Sequence, residues 1–191
     1  MNRALYVAGW GYVALCGLVL AKAPSGSVPG GEPPPAAAPF KGEAGQWFAQ
    51  VKPFCNAVEV EVMQGQHSAP PSVEGQGYSA ACYALGGRIA HAEAVIDHLL
   101  PEDRARAAGV VFNVGHPIAD AGDDASAGPI MELVLDYWPD HYMALYHAGM
   151  SEYALGKPDL ARQHLTSFLQ YYHEDDGWTR NARDILARLQ S

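Results

Sequence analysis

Residues 111–172 read VFNVGHPIADAGDDASAGPIMELVLDYWPDHYMALYHAGMSEYALGKPDLARQHLTSFLQYY, and the two halves of this stretch overlay at an offset of 34 residues. Gly115 falls on Gly149, Gly122 on Gly156, Ala127 on Ala161, Met131 on Leu165 and Val134 on Phe168. A period of this length marks stacked helical hairpins, each too small to bury its own apolar face. The chain therefore predicts an all-α fold.

Moving toward the N-terminus, Tyr83-Ala84-Leu85-Gly86 returns 70 residues later as Tyr153-Ala154-Leu155-Gly156, which adds a third, less regular hairpin from Tyr78 to Leu100. Its spacings of 36 and 34 place two extra residues near Pro101. Gly86-Gly87 marks its turn, and His67–Gly77, rich in Pro and Gly, predicts a loop. In the second hairpin a helix over 107–121 is expected to kink or start late at Pro117, and Asp124 to cap the next one, which Trp138-Pro139 ends. Toward the C-terminus, Gly177 opens a helix with Trp178, Ala182, Ile185, Leu186 and Leu189 on its apolar side, suited to closing the end of a stack.

Residues 43–64 support two readings. Val58, Val60 and Val62 alternate with Glu59 and Glu61 as in a half-exposed strand, whereas Trp47, Val51, Cys55, Val58 and Val62 recur at helical spacing around Pro53. A lone strand lacks a partner, which favours two helices broken near Pro53.

The apolar run Ala4–Ala21, flanked by Arg3 and Lys22, is of the length of a short transmembrane anchor, with a cleaved signal segment as the alternative. A Pro, Gly and Ala tract follows and reads as a tether. The expected organisation is an anchor or signal over 1–22, a linker over 23–42, a pre-repeat helical segment and loop over 43–77, repeats over 78–173 and a capping helix over 177–191. The folded part is then held at a membrane on its extracytoplasmic side, periplasmic or extracellular, or is secreted if residues 1–21 are removed.

A net charge of −9 without a basic cluster excludes nucleic acid as a partner. Acidic groups gather at Asp120, Asp123 and Asp124 and at Glu174, Asp175 and Asp176, where turns between helices account for them as caps and solvated residues. His116 and Asp120, four apart, share a helical face, with His141 further on, but no HExxH, CxxC or calcium-loop pattern accompanies them. An ordinary hydrogen bond is the simpler expectation there, with no metal, cofactor or catalytic residue. His141 and His147 read as polar tips at an interface or in the core. Cys55 and Cys82 are either a disulfide, in an oxidising compartment, or two buried thiols.

The hairpins resemble the tetratricopeptide repeat. Leu145, Ala148, Gly149, Ala161, Leu165 and Phe168 occupy its slots in the third hairpin, and Val111, Val114, Gly115, Ile118, Ala127, Met131, Val134 and Pro139 in the second. Tyr78, Cys82, Leu85, Gly86 and Ala92 match in the first; Glu152 stands where the pattern has Tyr, with Tyr153 adjacent. The resemblance implies about three hairpins in a short solenoid with a C-terminal cap, after a single N-terminal apolar helix. It further implies a concave face for a protein or peptide partner, displaying Tyr83, Phe112, His116, Asp120, Met143, Tyr146, Met150 and Tyr153. The expected function is thus a non-enzymatic adaptor, tethered or exported. The alternatives are an accessory subunit of a larger membrane-associated complex, and a metal-assisted hydrolase using His116 and the nearby Asp cluster.

Overall fold

Each hairpin turn closes in the same way. Gly87, Gly122 and Gly156 adopt φ of 70°, 77° and 72°, and the residue after each donates its N–H five positions back: Arg88 to Tyr83, Asp123 to Ile118 and Lys157 to Glu152. These are Schellman closures, in which a glycine takes the left-handed conformation and satisfies the last carbonyls of a helix. The three glycines are 35 and 34 residues apart. Gly87 rather than Gly86 thus holds the position equivalent to Gly156. Gly86 has a different task, lying so close to Val60 that a Cβ would come within 2.9 Å of its Cγ1.

A computed structural model of the protein describes residues 42–190. Among them are nine α-helices and no strand: α1 (Gly42–Val51), α2 (Val60–Gln66), α3 (Val73–Leu85), α4 (Ile89–Asp97), α5 (Pro101–Asp120), α6 (Asp124–Tyr137), α7 (Tyr142–Ala154), α8 (Pro158–Tyr171) and α9 (Gly177–Arg188). The pairs α3–α4, α5–α6, α6–α7 and α7–α8 pack as neighbours in sequence, while α3 packs most extensively along α5, α1 packs on α3, and α5 touches α7. This is an all-α bundle with the sequential packing of helical repeats.

A one-turn 3₁₀ helix, Lys52–Phe54, separates α1 from α2 at Pro53. Val60 is fully buried while Val58 and Val62 are exposed, so the Val alternation does not define one buried face. Gln64 and Ser79 fix α2 to α3 through a reciprocal pair: Gln64 Nε2 donates to the Ser79 carbonyl at 2.8 Å and Ser79 Oγ to Gln64 Oε1 at 2.6 Å. Cys55 and Cys82 are joined by a disulfide with Cα atoms 4.8 Å apart.

The expected loop over 67–77 is half wrong. Ser72 caps α3 by accepting from Gly75 N at 3.1 Å, and the helix runs on through Gly75 and Gly77. A Cβ at Gly77 would lie 2.8 Å from that of Val110, so this glycine permits close approach of α3 and α5. The helix expected over 107–121 begins at Pro101, where a missing N–H costs nothing, and continues through Pro117 in its last turns. Asp123, not Asp124, caps α6 by accepting from Ser126 N at 3.2 Å.

The membrane assignment is also corrected. Among the described residues no helix is long and apolar enough to cross a membrane. The longest, α5, carries Glu102, Asp103, Arg104, Arg106 and Asp120. The apolar stretch Ala4–Ala21 and the tract after it lie outside the described residues. The expected anchor and extracytoplasmic placement find no support in any described helix and are set aside.

The disulfide closes a loop with a sequence separation of 27. Replacing both cysteines by Ser is expected to cost about 2–4 kcal/mol of unfolding free energy, read from urea denaturation of the full chain. A loss below about 0.5 kcal/mol would mean that the hydrogen bonds between α2 and α3 hold this end unaided.

Candidate metal centre

Phe112, His116 and Asp120 succeed one another at every fourth position of α5 and so line one face of it. His147 reaches that face from α7. Two close approaches set the positions of these helices. A Cβ at Gly115 would lie 2.6 Å from Ile130 Cγ2 of α6, and one at Gly149 would lie 2.7 Å from Leu165 Cγ of α8. Only glycine lets each helix of a pair settle this deeply.

The result is a cluster of three potential ligands. Asp120 Oδ1 is 3.5 Å from His116 Nε2 and 3.7 Å from His147 Nε2, and all three donor atoms lie within 4.8 Å of one another. Both Nε2 atoms are buried and without a hydrogen-bond partner, and His147 is only 5% exposed. Buried polar atoms in native proteins are nearly always satisfied, so two orphaned imidazole nitrogens facing one carboxylate are a signal. Donors around a tetrahedral ion with bonds of about 2.0–2.1 Å stand ~3.4 Å apart. The two contacts to Asp120 are near that value, whereas the widest separation, within 4.8 Å, reaches it only if the side chains draw together by ~1.4 Å.

Burial holds His147 well below the ordinary imidazole range, at about 4; the neighbouring His116 adds to the effect and Asp120 opposes it. At neutral pH its imidazole is uncharged, the form that binds metal. Two imidazoles and one carboxylate suit Zn²⁺ or another first-row divalent ion, and three protein ligands leave a position open for water or substrate, as in catalytic sites.

Aromatic side chains pack on both imidazoles, while the His116 and Asp120 side chains remain 28% and 36% exposed. Phe112 stacks on His116 with ring centroids 4.8 Å apart, and His141 lies against Phe112 at 4.1 Å. Tyr146 and Trp178 meet the His147 ring edge-on at 5.4 and 5.8 Å. Trp178 opens α9, whose start is fixed by a capping box between Asp176 and Thr179, and Asn181 donates to the Tyr146 hydroxyl at 2.7 Å. Beyond Phe112 and His141 a groove of about 770 Å³ extends along Trp138, Tyr142 and Met143.

The sequence-derived candidates separate in space. His116 and Asp120 meet, but Asp123 caps α6, Asp124 accepts from Ser151 Oγ at 3.2 Å, and His141 caps α7 by accepting from Ala144 N. Of the residues expected to face a partner, Phe112 and Tyr146 are buried, and Tyr83, Met143, Met150 and Tyr153 are partly so. Tyr83 packs against His91. The ligand that sequence reasoning misplaced is His147. It stands one turn before the position equivalent to His116 in the next hairpin, which brings it opposite His116 across neighbouring helices. A compact His/Asp cluster overturns the expectation of a chain with no catalytic capability, and with it the non-enzymatic adaptor.

Comparison with protein-family models, with curated proteins and with solved structures finds no match to this chain.

Because His147 is neutral when folded and takes a proton near pH 6.5 when unfolded, the unfolded state binds more protons between these values. The stability that depends on neutral His147 is present above about pH 6.5 and is lost as pH falls through about 4. Urea midpoints of EDTA-treated protein should drop across that window, and His147→Phe should flatten the dependence.

Proposed function

We propose that this protein is a divalent-metal-dependent hydrolase built on a tetratricopeptide-like helical repeat. The observation that carries the metal is the pair of buried, unpartnered Nε2 atoms of His116 and His147 facing Asp120. The reading as a hydrolase rests on the number of ligands: three protein side chains would leave a position for water, as in catalytic rather than structural sites. Held by His116, Asp120 and His147, a divalent ion would supply Lewis acidity and lower the pKa of its bound water toward ~7.

The chain's own residues have distinct tasks in this scheme. His147, kept neutral by burial, and His116 bring nitrogen donors; Asp120 brings the negative charge that draws a cation between them. Phe112 stacked on His116 and Trp178 at the edge of His147 each shield part of an imidazole from water, which strengthens electrostatic interactions there. The groove past Phe112 and His141 offers a place for an apolar or aromatic part of the substrate.

The repeat assignment draws support from the three Schellman turns at 35- and 34-residue spacing and from glycine at Gly115 and Gly149, equivalent positions in successive hairpins. We take α3 with α4, α5 with α6 and α7 with α8 as the hairpins, α9 as the cap, and residues 42–72 as a segment closing the other end.

The full chain, purified without chelator, should carry about one divalent ion by elemental analysis, and His147→Ala and Asp120→Asn should each lose it while remaining folded by circular dichroism. Metal-loaded protein should hydrolyse at least one of an aryl ester, an aryl phosphodiester and an aryl amide, with activity removed by EDTA and by His147→Ala. Bound ion without turnover on all three would overturn the hydrolase and leave a metal-binding protein. Absence of metal even after incubation with Zn²⁺ would overturn both.

A further inference from the structure

A second charged cluster lies between α6, α7 and α8, built on Glu152. This side chain is 1% exposed, in a position where a carboxylate has lost nearly all of its water. Its Oε2 shares a 2.8 Å hydrogen bond with His164 Nδ1, but its Oε1 is buried and receives no hydrogen bond. The group nearest in kind is the Glu132 carboxylate, also an acceptor, so the two can bond each other only through a proton. Two facing carboxylates call for a positive charge between them.

They line a cavity of about 510 Å³ that also takes in Asp136 and an apolar wall of Leu135, Leu145 and Leu160. No lysine or arginine is among the described residues lining it. Three carboxylates thus face one imidazole. The cluster of three metal-ligating groups found among the described residues is that of His116, Asp120 and His147, so three protein ligands do not converge on a metal at Glu152. Carboxylates at one end and leucines along the wall match a cationic head on an apolar stem. An ammonium head offers three donors to these acceptors, in charge-assisted bonds stronger than neutral ones.

We infer that this cavity binds an alkylammonium group, with Glu152 and Glu132 holding the –NH₃⁺ head and Leu135, Leu145 and Leu160 its stem. The inference stands apart from the metal centre and does not depend on it. The same chemistry is presented by a free aliphatic amine and by the side chain of a lysine in a peptide.

The test is calorimetric titration of the full chain at neutral pH with pentylamine, with 1-pentanol as the uncharged match and with acetyl-Gly-Lys-Gly-amide as the peptide. Saturable binding of pentylamine or of the peptide, absent for 1-pentanol, is expected. Glu152→Gln and Glu132→Gln should each weaken it at least about tenfold. His147→Ala should leave it unchanged, which separates this cavity from the metal centre. Binding of pentylamine alone assigns a free amine, and binding of the peptide assigns a lysine side chain. If Glu152→Gln fails to fold, Glu132→Gln carries the test. No saturable heat from either amine, equal heat from 1-pentanol, or binding that Glu132→Gln leaves intact would overturn the inference. If amine binding is absent and Glu152→Gln raises the melting temperature, a shared proton is the cation that the carboxylates hold.

Discussion

The arrangement of this molecule depends on helices brought together at single glycines. Gly77 lies against Val110 and Ala107, Gly115 against Ile130, and Gly149 against Leu165, each at a distance where a methyl group would overlap its neighbour. Contacts this tight fix both separation and register, because sliding a helix along its partner replaces the glycine with a residue that does not fit. They fix α5 on α6 and α7 on α8, and α6 on α7 completes the chain of contacts. Residues 116, 120 and 147 meet because of this register.

Against that well-packed frame, two places break the rule that buried polar atoms find partners. One is the pair of imidazole nitrogens at Asp120; the other is Glu152 Oε1. Each lies where a side chain carries charge or ligating capacity beyond what packing needs. Most of the remaining buried polar groups are satisfied: Gln64 and Ser79 answer each other, and Thr179 completes a capping box. Local violations within an otherwise consistent fold mark sites of function more often than defects.

The all-α class was legible because the 34-residue offset is carried by Gly and Ala at contact positions and by glycines at turns. It was less legible where one residue type serves two purposes. Gly75 and Gly77 read as loop formers but sit inside α3, where close approach, by Pro70 of the preceding loop and by Val110 of α5, requires them rather than backbone freedom. Pro117 read as a kink or a late start, yet α5 begins well before it and runs past it to Asp120. The candidate centre was half legible: His116 and Asp120 share a helical face by spacing alone, whereas His147 enters through the lateral offset between neighbouring helices, which periodicity does not encode. The caps at Asp123 and His141 used up two other candidates, because a carboxylate or imidazole at a helix start satisfies backbone N–H groups first.

The apolar interior is not continuous. Phe112 belongs to a central cluster with Val111, Met131 and Val134, while Tyr146 belongs to a second with Leu165, Phe168 and Ile185. His116 and His147 stand where these two interiors adjoin. A covalent link secures the opposite end of the chain, between Cys55 and Cys82. On the proposed reading, an ion shared by His116 and His147 would be a reversible clasp across the seam, adding a free energy of opening that grows with the logarithm of its concentration. Metal supply would then govern how cooperatively the C-terminal helices unfold with the rest, and the same three side chains would set both chemistry and the mechanical unity of the domain.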